Sequence, residues 1–224
     1  MQIVAGLLLI MCGCASASAS PLEQYCYEER EGQKVGHFSW ILEATEPVRL
    51  RSIDDRQEHI NLFTGDWESR SWRLIDQKKN TDLQVERREE QLVFAGTWQG
   101  QALSKTQAID QAPWYQALSV ALRRLVASDA GTLEFWMVRP DTLEVRRLRA
   151  QPQSLETIEL DDVRHSARRI RITAVGVPTW LWHGDYWLRA TDGVFLRYSG
   201  RSGPPGSPLR QIELIGEECL PARL

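Results

Sequence analysis

Apolar and polar residues alternate with a period of two along most of the chain, in short runs broken by Gly, Asp, Asn and Pro. That is the pattern of antiparallel strands with one covered face. The clearest run is 35–45, which puts Phe38, Trp40 and Leu42 on one face. Further strands are predicted around Tyr25-Cys26-Tyr27 and over 49–53, 59–63, 69–75, 83–87, 92–98 and 102–108. They resume over 132–138, 143–150, 156–163, 168–175 and 209–215. Between the two groups the period changes. Trp114, Leu118, Ala121, Leu122 and Leu125 recur at helical spacing, with Asp110 as N-cap, Pro113 in the first turn and Gly131 as stop. This predicts one amphipathic helix over 113–127. Its polar face is not strongly basic, so the stripe is assigned to the sheet and not to a membrane surface.

The stretch 178–198, PTWLWHGDYWLRATDGVFLRY, holds two turn signals. Gly184-Asp185 suits a type II′ turn and Asp192-Gly193 a type I′ turn, which predicts two tight hairpins. Counting outward from both turns puts Trp180, Trp182, Trp187, Arg189, Leu196 and Tyr198 on one face and Leu181, His183, Tyr186, Leu188 and Phe195 on the other. Both faces are apolar or aromatic, so each needs a cover. Cross-strand aromatic packing accounts for much of the cluster, at about 0.2–1 kcal/mol per pair. A wall for a lipid tail, sugar or peptide is the functional reading, with Trp180, Trp182, Trp187, Arg189 and Tyr198 as the candidate ligand-binding set. The expected fold class is mainly β: a strongly bent antiparallel sheet, a half-barrel of roughly 10–13 strands, wrapped around one mid-chain helix.

The N-terminus supplies an address. The apolar run 3–11 is shorter than the about 20 residues a spanning helix needs and has the length of a signal-peptide core, although no Lys or Arg precedes it. Gly13-Cys14 resembles the end of a bacterial lipobox, with Met11 where Leu is usual. Two cleavage readings follow: lipidation of Cys14, or ordinary cleavage within 15–19 to leave a soluble periplasmic protein. By resemblance to Gram-negative sorting rules, Ala15 after a lipidated Cys14 implies an outer-membrane lipoprotein facing the periplasm. The expected organisation is a signal peptide over 1–13, a tether over 14–22, one domain over 23–218 and a tail over 219–224.

The net charge of −3 gives no support to nonspecific nucleic-acid binding. In an oxidising compartment Cys26 and Cys219 are most economically read as a disulfide joining first strand to last, against two separate buried thiols. No two of His37, His59, His165 and His183 have a metal-binding spacing, so no metal is expected, and no cofactor motif occurs. There is no G-x-S-x-G either. Adjacent carboxylates such as Asp161-Asp162 point to opposite faces of a strand and make no glycosidase pair. His183 with Asp185 is the one acid–base candidate, and both residues equally suit a turn. Arg147 and Arg149 with Arg169 and Arg171 would form a basic stripe if neighbouring strands align them, or a solvated face paired with Glu134, Glu144 and Glu156.

The export signal, the long sheet, the mid-chain helix and the pattern FWMVRPDTLEVRRLRA … VPTWLWHGDYWLRATDGVFLRYS … IELI together resemble uncharacterised bacterial envelope proteins of the domain-of-unknown-function type. In those, a strongly bent sheet wraps a helix. The arrangement is similar, more distantly, to the half-barrel of the lipoprotein carrier and receptor of the Lol pathway. The resemblance implies fold, and no functional residue is carried over from it. Three functions follow as expectations. The first is a non-enzymatic envelope protein holding a lipid or other apolar molecule on the concave face. The second is an assembly or scaffold lipoprotein acting through contacts with an envelope protein partner. The third is a hydrolase or lyase using His183 and Asp185. In the first two, membrane association is through the N-terminal lipid alone.

Overall fold

The computed structural model describes residues 21–126, 131–203 and 206–216. Among the described residues alternation translates into fourteen strands. The first eight are β1 (Pro21–Glu31), β2 (Lys34–Glu43), β3 (Arg49–Ile53), β4 (Gln57–Phe63), β5 (Ser69–Asp76), β6 (Thr81–Arg88), β7 (Gln91–Trp98) and β8 (Gln101–Ala108). After the helical segment come β9 (Leu133–Val138), β10 (Val145–Leu160), β11 (Val163–Ala174), β12 (Gly184–Arg189), β13 (Phe195–Arg201) and β14 (Leu209–Gly216). They form one antiparallel sheet in the order β8-β7-β6-β5-β4-β3-β2-β1-β14-β13-β12-β11-β10-β9. Strand pairing therefore does not close the sheet, and β8 and β9 are its edges.

A non-strand segment bridges the gap. Trp114 lies between β5 and β9: its carbonyl accepts from Ser69 N–H at 2.8 Å, and Tyr115 N–H donates to Trp136 O at 2.9 Å. Gln116 clamps the same two strands, accepting from Val138 N–H, donating to Val138 O, and giving its own N–H to Ser69 Oγ. This is why the helix is shorter than predicted. Residues 113–116 spend backbone groups on strands, so among the described residues only α1 (Leu118–Ala121) and a 3₁₀ turn over Leu122–Leu125 are helical. Asp110, expected as N-cap, accepts from Trp136 Nε1 and Ala112 N–H instead. The helical turns sit inside the bend. Leu118, Val120, Ala121, Leu122 and Leu125 are all buried, and Trp40 Nε1 donates to Ser119 Oγ at 3.0 Å. Arg123 closes this end on β1 through paired bonds to Glu23 at 2.8 and 2.7 Å.

Other boundaries differ from expectation for local reasons. Pro21 and Leu22 belong to β1 and not to a tether. The two strands predicted over 143–150 and 156–163 are one, β10, because Pro152 sits at a register shift that bends the strand without ending it. The first tight hairpin is absent: Gly184 and Asp185 are strand residues paired with Gly200 and Ser199. The chain reverses earlier, where Leu181 N–H bonds Pro178 O at 2.9 Å. The second reversal is at Asp192-Gly193 as predicted, but as a longer loop in which Gly193 N–H reaches Arg189 O and Val194 O accepts from Arg189 N–H. Leu188 therefore pairs with Phe195, and Tyr186 with Tyr198.

Candidate functional site

That register splits the predicted wall. Tyr198 shares the concave face with Tyr186, their ring centroids 4.8 Å apart, while Trp187 pairs with Arg197 and faces outward. Trp187 is roofed by the tip of the β10–β11 hairpin. Its indole N–H donates to Glu156 at 3.0 Å, Arg169 lies 5.4 Å from its ring, and Arg197 donates to Glu159 O. Arg189 bonds Asp192 at 3.1 Å across its own loop. Trp180 and Trp182 are not on a strand. Trp180 is 78% exposed, and the Trp182 indole donates to Arg201 O at 2.9 Å.

Two of these tryptophans border a cleft of about 300 Å³. Trp180, Trp182 and His183 form one side, Ser199, Arg201 and Leu209 the other, with Asp185 also lining it. Asp185, Ser199, Arg201 and Leu209 face outward by their pairing, so this cleft belongs to the convex side. Asp185 is buried between Arg169 at 2.6 Å and Arg171 at 3.0 Å. Burial raises its pKa, but the bonds from the two guanidiniums outweigh that and hold the carboxyl below its ordinary range. The nearest His183 nitrogen is 4.0 Å away, and the other ring nitrogen is bonded to Thr179 O. A carboxylate held by two arginines, with no hydrogen bond to the histidine, gives the His183/Asp185 reading no geometric support.

The arginine stripe is spent internally. Arg147 pairs with Asp110 and Glu134, Arg149 with Glu134, Arg169 with Asp185 and Glu156, and Arg171 with Asp185. Charge on this surface is mixed, as the alternative reading had it. Cys26 lies on β1 opposite Gly216 at the end of β14, which brings first and last strand together. Cys14 and Cys219 lie outside the described residues.

The concave face opens at one end, that of the β1–β2 turn and the β13–β14 loop. Register identifies its inward residues: Gly36 pairs with Glu29, Phe38 with Tyr27, Glu29 with Ile212, Ile212 with Tyr198, and Tyr198 with Tyr186. Burial along β2 records the opening. Gly36 is exposed, Phe38 half-buried, and Trp40 and Leu42 buried, all on one face. The predicted Phe38–Trp40–Leu42 face is thus the concave wall, closed by the helix at one end and wet at the other. Tyr186 and Tyr198 are likewise half-buried.

Glycines shape this end. A Cβ on Gly200 would stand 2.4 Å from the Tyr198 hydroxyl, and one on Gly184 would stand 2.9 Å from its ring. The paired glycines therefore let Tyr198 lie flat against the sheet. On the facing wall a Cβ on Gly36 would meet nothing within 4 Å.

Arg210 enters the same space from β14, holding Glu29 at 2.7 and 3.0 Å while staying 44% exposed. Its charge is felt by His59 of β4 and by Tyr186 and Tyr198. Burial keeps both tyrosine hydroxyls protonated, with Arg210 pulling the other way. His59 accepts from the Trp72 indole at 3.3 Å. Burial lowers its pKa to about 4, Asp54 opposes this, and Arg210 adds to it. Sequence reasoning missed Gly36 and Arg210 as a pair. The available signal was the inward parity of 36, 38 and 40, which becomes a site only when β2 is placed against β14 and β13.

An open-ended, strongly bent antiparallel sheet around a short helix is a β-barrel-like architecture, and a solved structure shares it. The β-barrel-like protein of domain of unknown function DUF1849 from Brucella abortus superposes with a TM-score of 0.55 at 8% identity, covering 86% of this chain and 95% of its own. The hypothetical lipoprotein YmcC from Escherichia coli K12 gives a TM-score of 0.38 at 12% identity, with 89% and 86% covered. No family model and no curated protein sequence matches the chain.

Proposed function

We propose that this chain is an exported, non-enzymatic envelope protein that holds an apolar or amphipathic molecule in the open end of its concave face. The supporting observation is the burial gradient along one wall, from exposed Gly36 through half-buried Phe38 to buried Trp40. Aromatic groups face inward there and remain wet, a combination that costs free energy unless something covers them. Trp182 is bonded to Arg201 O and packs against the same buried cluster as Tyr186. A lipid on Cys14 would tether the domain to the outer membrane, and a Cys26–Cys219 bond would lock β1 to the end of β14 that lies away from the opening. Assembly through the arginine stripe is less well supported, because those arginines are ion-paired.

Native mass spectrometry of the protein gently extracted from its own envelope tests this reading. The expected spectrum shows a chain beginning at a lipidated Cys14, two hydrogens lighter than the reduced form, with a bound molecule lost on collisional activation. A single apo mass from material never exposed to stripping detergent would overturn the ligand reading, whatever the N-terminus.

A further inference from the structure

The concave opening has a chemistry as well as a shape. One wall is Phe38 beside Gly36, and a second is Tyr186 with Tyr198 flattened over Gly184 and Gly200. Neither tyrosine hydroxyl has a hydrogen-bond partner among the described residues, and both residues are half-buried. Glu29 occupies Nε and one terminal nitrogen of Arg210, which leaves the second terminal nitrogen to donate. Three hydrogen-bond donors therefore lie on the inward face at this end of the sheet, beside the rings of Phe38, Tyr186 and Tyr198. Donors at the mouth and rings behind them fit an acceptor-bearing head on an apolar tail.

We infer that the open end binds a single-chain acyl amphipath, its oxygen-bearing head at Arg210, Tyr186 and Tyr198 and its chain along Phe38, with Gly36 setting the space available to the chain. This rests on the ligand reading above and adds the class of ligand and the residue that limits it. A carboxylate and a phosphodiester offer the same acceptor oxygens, so a free fatty acid and a lysophospholipid are the two sources. Gly36 is the decisive position because its backbone is ordinary strand and the space in front of it is empty. A large side chain can grow there without a clash, so filling the opening and unfolding the protein are separable.

The test is a fluorescence titration of the full-length mature protein with cis-parinaric acid, followed by displacement with oleate, with an oleoyl lysophospholipid and with oleyl alcohol. Gly36→Phe is expected to weaken probe binding by tenfold or more, about 1.4 kcal/mol, while Gly36→Ala stays within about threefold and Trp180→Ala on the convex cleft within about twofold. Arg210→Gln is expected to weaken oleate about tenfold and to leave oleyl alcohol nearly unchanged. Stronger displacement by oleate assigns a carboxylate head, and stronger displacement by the lysophospholipid a phosphodiester; both support the proposal. Circular dichroism and thermal midpoints verify folding, and Gly36→Leu replaces Gly36→Phe if the latter does not fold. Wild-type binding undiminished in a folded Gly36→Phe or Gly36→Leu variant overturns the inference and leaves the ligand reading standing. Failure of the wild type to bind any acyl probe, with another class of molecule found in the native spectrum, overturns the acyl assignment. Failure with an apo native spectrum removes both.

Discussion

Trp114→Ala is expected to destabilise the protein by about 3–5 kcal/mol, the range for truncating a fully buried tryptophan. The indole is 0% exposed. It packs in one cluster with Trp72, Leu74, Val85 and Phe94 from β5–β7 and with Val138 and Leu143 from the opposite edge of the sheet. β5 and β9 stand far apart in strand order, so their contact depends on what fills the gap between them. Trp114 fills it with both side chain and backbone: its carbonyl accepts from Ser69 N–H, and its indole donates to Gln116 Oε1 at 3.2 Å. Gln116 is in turn the residue that clamps Val138. Loss of the indole therefore opens a cavity at the place where the bent sheet is held shut. Urea denaturation followed by circular dichroism measures the change. A loss below about 1 kcal/mol would mean that the bend is held by the strands alone.

The second large effect is a pH dependence. His59 titrates near its ordinary 6.5 when unfolded and at about 4 in the fold, so between these values the unfolded chain binds the extra proton. Stability then falls as pH drops through this interval, by about 1.4 kcal/mol per pH unit, and levels off below about pH 4. The structural cause is specific: Nδ1 accepts from the Trp72 indole, and protonating it removes the acceptor. The carboxylates of Asp76, Asp82, Asp110, Glu134 and Asp185, whose pKa values lie below the ordinary range, lose their contributions at still lower pH. Urea midpoints at pH 7.5 and 5 isolate the histidine. Wild type is expected to lose about 2 kcal/mol between them and His59→Gln less than half of that. Parallel losses in both proteins would assign the acid limb to other groups.

Much of the fold was legible because alternation is a local signal and survives in every strand of an antiparallel sheet. Phe38, Trp40 and Leu42 were placed on one face by counting, and the structure puts them on one wall. Errors arose where one residue type serves two purposes. Gly184 looked like the first residue of a turn, but its missing side chain makes room for the Tyr198 ring, which no local pattern encodes. The strands predicted over 143–150 and 156–163 are one, with a register shift at Pro152 inside β10. Trp114 matched the helical stripe because buried residues of an extended clamp and of a helix can fall at the same spacing. The tryptophans of 178–198 drew attention by composition, yet Trp187 is roofed and Trp180 faces solvent. The opening itself was not legible. It joins Gly36, Tyr186, Tyr198 and Arg210 across β2, β12, β13 and β14, and only the register that pairs the first strand with the last brings them together.

Photocross-linking tests most directly where the ligand lies. The mature protein is irradiated with a diazirine-bearing fatty acid, and the adducts are mapped by peptide mass spectrometry. Inward and outward residues alternate along β2, β12 and β13, so each strand carries its own control. The expected adducts fall on Phe38, Tyr186 and Tyr198, with His37, Trp187 and Arg197 unmodified. Adducts concentrated on Trp180, His183 and Leu209 would place the ligand in the convex cleft and contradict the account.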